Sequence, residues 1–415
     1  MLAWADAHAS APAVGSHQME MPKQAATAVG RQIRTLYVVS DYLLGGAESY
    51  VVELLRLLDG KISAGVVAVR GDDRSEMGQH MTLLAKQFGA TIYMGSSSPW
   101  KFGGFIVSAL RLRRVIQRFK PDIVHLNTEI PEFAYALCLS MDSSLASISV
   151  IRTIHNTNLW PRWAFLGCKC ERVLCHATAV CVSDAVADSF KEWRARCGLE
   201  PTGETPTIYN PITTPRIRES LSDGRTRQEE LRILFAGRFE FQKGCDLLPD
   251  IIRQTRLRPG KRIKLFIYGD GSQRALLEQF WDSPPEGWDV KIFPPKPNLV
   301  EALPDFDILL FPSRFEGYGR LAAEAVLVGI PVVAFGLPAL LEVFPADYPW
   351  IAALDDKAVA NFAERLSSLI ASFEESQEAI DLARSSLKDR LARDNTASAY
   401  VKLYESKLRP DNTNR

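Results

Sequence analysis

FPSRFEGYGRLAAE, Phe311 to Glu324, follows the apolar run Ile308 to Leu310, which is short enough for a buried strand; Pro312 and Ser313 stop it. Gly317 and Gly319 let backbone approach a ligand, and Leu321 to Leu327 reads as a helix of good formers. The element is therefore strand, glycine loop, helix, with Glu316 in the loop and Glu324 about one turn into the helix. A helix start after a strand holds an anionic group, because unpaired N–H groups and the macrodipole point at it. Two carboxylates repel that anion, so they face other parts of the ligand, such as hydroxyls. A sugar or ribose joined to phosphate fits both demands. In isolation, an amphipathic helix with one solvated Glu and one loop Glu reads the same way.

The 415 residues, 47% hydrophobic and 24% charged, are enough for two domains with proper cores. Lys plus Arg and Asp plus Glu both number 49, so nothing favours a nucleic acid. Seven cysteines, an odd count without a disulfide framework's spacing, point to a reducing compartment. Cys168, Cys170, Cys175, Cys181 and His176 lack zinc-knuckle spacing and read as buried cysteines on a helix and the next strand. No apolar run approaches the roughly 20 residues that span a bilayer. Residues 1–30 lack a signal peptide's basic start and apolar core, and read as a disordered extension.

In the first half, Leu36 to Ser40 is a strand, and Gly45, Gly46, Ala47 and Glu48 open a helix. The paired glycines can present amides to a diphosphate or simply allow tight strand-to-helix packing. Val66 to Arg70 and Ile92 to Met94 read as further strands. Lys101 to Lys120 carries Arg111, Arg113, Arg114 and Arg118 with no acid, and reads as a solvated helix face before a membrane-facing one. His125 and His155 each lie near a strand's carboxyl end, where ligands collect. Trp160, Pro161, Arg162 and Trp163 form a loop that can hold an acceptor sugar, touch lipid, or be buried under the next helix. Val180 to Asp184 reads as a strand capped into a helix, and Thr207 to Ile212 as the last strand of this half.

Pro215 to Glu230 is a polar linker, after which Leu231 to Ala236 starts a new series. It ends in Gly237 and Arg238, with Lys243 and Gly244 five residues on; two cations at a strand's carboxyl end suit a diphosphate. Gly269, Asp270 and Gly271 are half of a dinucleotide fingerprint whose next glycine is replaced by Arg274, which disfavours a nicotinamide cofactor. Asp305, Phe306 and Asp307 read as the start of a buried strand rather than a metal site. The last helix runs from about Thr396 to Leu408.

Glu316 and Glu324, seven residues between them, resemble the Glu-x7-Glu signature of family four of the retaining glycosyltransferases. GGAE at 45–48, RTIHNTN around His155 and GRFEFQKG at 237–244 resemble that family's other motifs, in the same order. The resemblance implies the GT-B fold: two α/β Rossmann-like domains facing across a cleft, with a C-terminal helix crossing back to the first. The expected divisions are a 1–30 extension, a 31–214 acceptor domain, a 215–230 linker, a 231–392 nucleotide-sugar domain and a 393–415 helix and tail. It implies retaining transfer of a sugar from a nucleotide diphosphate sugar to an acceptor hydroxyl, in polysaccharide or glycolipid assembly. The implied catalytic residues are Glu316, Arg238, Lys243 and His155; the implied donor-binding residues are Gly45, Gly46, Gly317, Tyr318, Gly319 and Glu324. No metal or other cofactor is expected. The expected partners are the nucleotide sugar and a glycan or lipid-linked glycan, without nucleic acid; the setting is cytoplasmic, with peripheral membrane contact left open. A noncatalytic sugar-nucleotide-binding protein and a nucleotide-sugar epimerase of the same fold are the alternatives. Pro294 and Pro295, Arg320, and Leu337 with Pro338 after Gly336 depart from the family's usual residues, which leaves the donor's base and sugar unread.

Overall fold

Unbroken aliphatic stretches such as Ile308–Phe311 have every side chain buried, the mark of parallel strands covered by helices on both faces. In the computed structural model of the chain, residues 31–408 are described apart from 43–45, 72–75, 97–102, 201–204, 213–228, 282, 297, 298 and 394. The extension expected over 1–30 and nearly all of the expected linker lie outside the described residues.

Two six-stranded sheets carry the fold. The first contains β1 (Ile33–Val39), β2 (Ile62–Ala68), β3 (Thr91–Tyr93), β4 (Ile123–Asn127), β5 (Ser149–Ile154) and β6 (Thr178–Cys181), in the order β3-β2-β1-β4-β5-β6. The second contains β7 (Glu230–Ala236), β8 (Arg262–Tyr268), β9 (Trp288–Phe293), β10 (Ile308–Phe311), β11 (Val332–Phe335) and β12 (Ile351–Ala352), in the order β12-β11-β10-β7-β8-β9. Every pairing between them is parallel. Each sheet reverses its winding once, at β1 and β4 or at β7 and β10. Such a reversal opens a crevice at the carboxyl ends of the strands, which is where the expected site residues lie.

Alternation along β1 divides the first core. Leu36 and Val38 pack with Leu112 and Ile116 on one face, whereas Tyr37 and Val39 pack with Tyr50, Leu54, Tyr400 and Tyr404 on the other. The last two belong to the final helix, Thr396–Lys407, which returns to the first sheet as the fold class requires. Its contacts are polar as well as apolar. Tyr404 Oη lies 2.9 Å from Tyr37 Oη and 2.8 Å from His125 Nδ1, and His125 Nε2 lies 2.6 Å from Thr153 Oγ1.

Several sequence expectations are corrected. Glu230 belongs to β7 rather than to a linker, and Thr207 makes only an isolated bridge to Cys181. β2 starts at Ile62 instead of Val66, because Ile62 to Gly65 already pair with β1. Cys168 is bridged to Cys197, with their Cα atoms 5.0 Å apart, although no bridge was expected. The pair joins the helix Ala164–Val173 to the end of Asp184–Arg196 across 29 residues, a proximity set by packing and invisible in the spacing.

Candidate active site

β10 ends at Phe311, and the loop that follows is shaped by its glycines. Gly319 has φ 78°, a left-handed conformation, and caps the helix Arg320–Val328; a Cβ there would also overlap the Leu340 side chain. A Cβ on Gly317 would overlap the carbonyl oxygen of His155, at the end of β5. The first half of the chain also holds this loop by hydrogen bonds. Ser183 Oγ donates to the Gly317 carbonyl (2.6 Å), and Thr157 Oγ1 donates to that of Glu316 (3.2 Å). The Tyr318 ring is buried and packs on Tyr209, with centroids 5.7 Å apart.

The loops after β7 and β10 are stitched together, since these strands are neighbours. Arg314 N–H donates to the Gln242 carbonyl (2.8 Å) and Gln242 Nε2 donates to that of Phe315 (3.1 Å). This brings Lys243 Nζ to 2.5 Å from Glu316 Oε1. Arg238 donates to the neutral side chain of Gln242 at 3.2 Å, which leaves its charge facing the cleft.

Opposite, Gly46 opens the helix Gly46–Leu57 and borders the same cleft; Gly45 lies outside the described residues. Glu48, in that helix's first turn, is half-buried in area but set deep among protein groups. Burial, reinforced by Asp41 and partly offset by Arg238, pushes its carboxyl up to about 8. Glu129 is raised as well, chiefly by burial, with the Trp160 backbone N–H and Arg238 partly offsetting the rise. Neither acid was singled out in the sequence. For Glu48 the signal was present, because it directly follows the two glycines.

His155 is placed by β5. Its Nε2 lies 3.3 Å from Asn127 Oδ1, the Tyr50 ring stands edge-on at 4.8 Å, and burial lowers its pKa to about 3, so the imidazole is neutral. Behind β5, Arg152 donates to both oxygens of Glu132 and of Glu171, while Arg194 also donates to Glu171. All four side chains are nearly inaccessible, and the network locks β5 to three helices. Removing one member would strand a buried charge. Trp160, read as part of an exposed or buried loop, is 5% exposed, whereas Trp163 is 54% exposed; the loop does both.

Glu324, expected to bond the ribose, pairs with a residue of its own helix. Its Oε1 accepts from Arg320 Nε at 2.7 Å, and Arg320 also lies 3.7 Å from Glu53 of the opposite half. Burial raises the Glu324 pKa and Arg320 partly offsets the rise. Arg320 Nη1 is buried without a hydrogen-bond partner among the described residues.

Together these groups surround a cleft of about 720 Å³. Glu316, Arg238, Lys243, His155, Gly46, Gly317, Tyr318, Gly319 and Glu324 all border it. Tyr268 and Lys296 border one end, with Lys296 Nζ 5.8 Å from the Tyr268 ring. Cations in the second half can meet a polyanion, and buried carboxylates on either side can accept from hydroxyls.

Residues 44–216 match the family described as Glycosyltransferase Family 4, and residues 230–372 match Glycosyl transferases group 1. The chain is similar to an uncharacterized protein in the cps region of Klebsiella pneumoniae, with 23% identity, covering 83% of this chain and 97% of that one. It is 25% identical to the putative glycosyltransferase EpsF of Bacillus subtilis, over 73% of this chain and 79% of that protein. The fold is shared with the crystal structure of Anabaena HepE in complex with UDP-glucose: TM-score 0.70, 17% identity, 91% of this chain and all of that one.

Proposed function

The chain belongs to the family-four type of glycosyltransferases, and from that premise we propose that it transfers a sugar, with retention, from a nucleotide diphosphate sugar to an acceptor hydroxyl in polysaccharide or glycolipid assembly. One observation carries the reading: Arg238, Lys243, Glu316, Glu324 and Gly46 border a single cleft between the two sheets. In the proposed reaction the bond from the anomeric carbon to the diphosphate oxygen breaks and the acceptor oxygen bonds that carbon from the same face. The acceptor proton passes to the departing phosphate. Arg238 and Lys243 offset charge growing on that phosphate, the largest electrostatic demand of the step, and supply the compensation a metal ion would otherwise give.

Gly46 brings backbone close to the diphosphate, and the Gly317 to Gly319 loop lies along the donor. Glu316, steadied by Lys243, orients donor hydroxyls or supports positive character at the anomeric carbon. Glu324 holds the ribose, with Arg320 favouring the ionised form of its carboxyl against the effect of burial. His155, neutral, positions the acceptor or the donor sugar without acting as an obligatory base. The Klebsiella and Bacillus relatives, one named for a cps region and the other a putative glycosyltransferase, support a glycan setting. The anomeric proton coupling of the product by NMR tests the reading: an α-linked nucleotide sugar is expected to yield an α-glycoside. A β-product, or nucleotide release that is unchanged when acceptor is supplied, would overturn it.

A further inference from the structure

Two acids of the first half, Glu48 and Glu129, border the cleft proposed to take a diphosphate, and Arg238 of the second half acts on both. An acid beside an anion repels it unless it holds a cation or a proton. Glu129 accepts from the Trp160 backbone N–H. Glu48 has less support: among the described residues its carboxyl has no side-chain hydrogen bond or ion pair, and it accepts from its own backbone N–H. The charged groups that face it are Asp41 beyond β1, Arg70 beyond β2 and Arg238 beyond β7. Arg70 is already bonded to Asp41, Nη2 to Oδ2 at 2.8 Å, and Arg238 to Gln242. Glu53, further along the same helix, lies 3.7 Å from Arg320, and His80 of the helix Glu76–Gln87 borders the cleft as well. An ionised Glu48 is therefore favoured mainly by Arg238 and by the N–H groups of its helix's first turn. A diphosphate seated at Gly46 draws on both, since its oxygens accept from those N–H groups and pair with Arg238. Further negative charge then stands beside a carboxyl that burial and Asp41 already push up to about 8.

We propose that Glu48 binds the donor as a carboxylic acid, its O–H donating to a diphosphate oxygen, and that a proton enters the cleft with the nucleotide whenever Glu48 is ionised beforehand. An ionised carboxyl has only acceptors to offer the phosphate, whereas the acid supplies one donor. The proton stays on Glu48 while the hydrogen bond lasts and returns to solvent when the nucleotide leaves. It is separate from the acceptor proton that passes to the departing phosphate. This role rests on the donor reading above and extends it to a residue two positions beyond Gly46.

Binding of UDP and of GDP to the full chain is followed by calorimetry from about pH 7 to about pH 9, in Tris and in Bicine, whose different ionisation enthalpies let the heat count the protons taken up. Phosphate's own second ionisation, at about 6, lies below this range, so the ligand contributes little. At about pH 8.5 the native chain is expected to take up about half a proton or more per nucleotide bound, and its affinity to fall as pH rises further, approaching about tenfold per pH unit. Glu48→Gln, which keeps a neutral donor of similar shape, is expected to bind without proton uptake and with a flat pH profile, whereas Glu129→Gln should retain the uptake. Binding by the native chain with no uptake and a flat profile would overturn the proposal while leaving the donor reading in place. Uptake that survives in Glu48→Gln, or that vanishes in Glu129→Gln, would overturn it too. Failure of both nucleotides to bind the native chain near neutral pH would instead sink the donor reading, and this proposal with it.

Discussion

Gly317 and His155 meet with no room between them: a Cβ on the glycine would occupy the space of the histidine's carbonyl oxygen. The loop carrying Glu316 is thereby seated against the end of β5, and hydrogen bonds from Ser183 and Thr157 keep it there. Gly317→Ala is expected to force the two apart, lowering stability by about 1–3 kcal/mol, as overpacking does. Gly46→Ala, whose added carbon would meet nothing within 4 Å, should leave the melting temperature unchanged while weakening nucleotide binding. Thermal unfolding with and without nucleotide checks both.

Lys243→Ala, Arg238→Ala and Glu316→Ala should each lower turnover by about 10² or more, the cost of losing a charge-stabilising group. Because Lys243 and Glu316 are bonded to each other, their effects should fall short of additivity in a double-mutant cycle, whereas Arg238, bonded to Gln242, should combine more nearly independently. Steady-state rates of the three single and two double variants provide the comparison.

Arg320→Leu removes the group that offsets the burial of Glu324. The Glu324 carboxyl should then protonate more readily, and nucleotide affinity should fall by up to about tenfold as pH is lowered, as expected when a charge-assisted hydrogen bond is lost. Affinity should recover as pH rises through the new pKa. Calorimetric titration of nucleotide at several pH values would expose that slope, and a flat profile would count against it.

Burial in the first half lowers His125 from its usual 6.5 to about 3, with His155 nearby adding to the effect. The unfolded chain takes a proton at 6.5 that the folded chain refuses until far lower pH. The stability from this neutral imidazole is therefore present above about 6.5 and lost as pH falls towards 3, at about 1.4 kcal/mol per pH unit. His125→Asn should flatten the acid side of a melting-temperature profile. Tyr404→Phe, which strips a partner from His125 and Tyr37, should cost about 1–3 kcal/mol across the range.

Much of this architecture was legible because parallel strands announce themselves as short apolar runs and their ligand loops carry glycines. Ile308–Phe311, Gly317 and Gly319 could be read directly, and so could the two cations after β7. What stayed hidden depends on distant partners. Arg152 reads as one polar residue within a strand, and only packing reveals Glu132, Glu171 and Arg194 around it. The Arg320 to Glu324 bond sits at ordinary helical spacing, but burial gives it weight. Cys168 and Cys197 are separated by 29 residues, and Trp160 and Trp163 have opposite exposures within one turn. Local pattern carries none of these.

The most direct measurement is the change in melting temperature produced by a panel of nucleotide sugars, on the native chain and on an Arg238→Ala, Lys243→Ala double variant. At least one nucleoside diphosphate sugar should stabilise the native chain by several degrees, as binding to the folded state requires, and barely move the double variant. Stabilisation of equal size in both proteins, or by none of the panel in either, would contradict a diphosphate seated between these cations and Glu316.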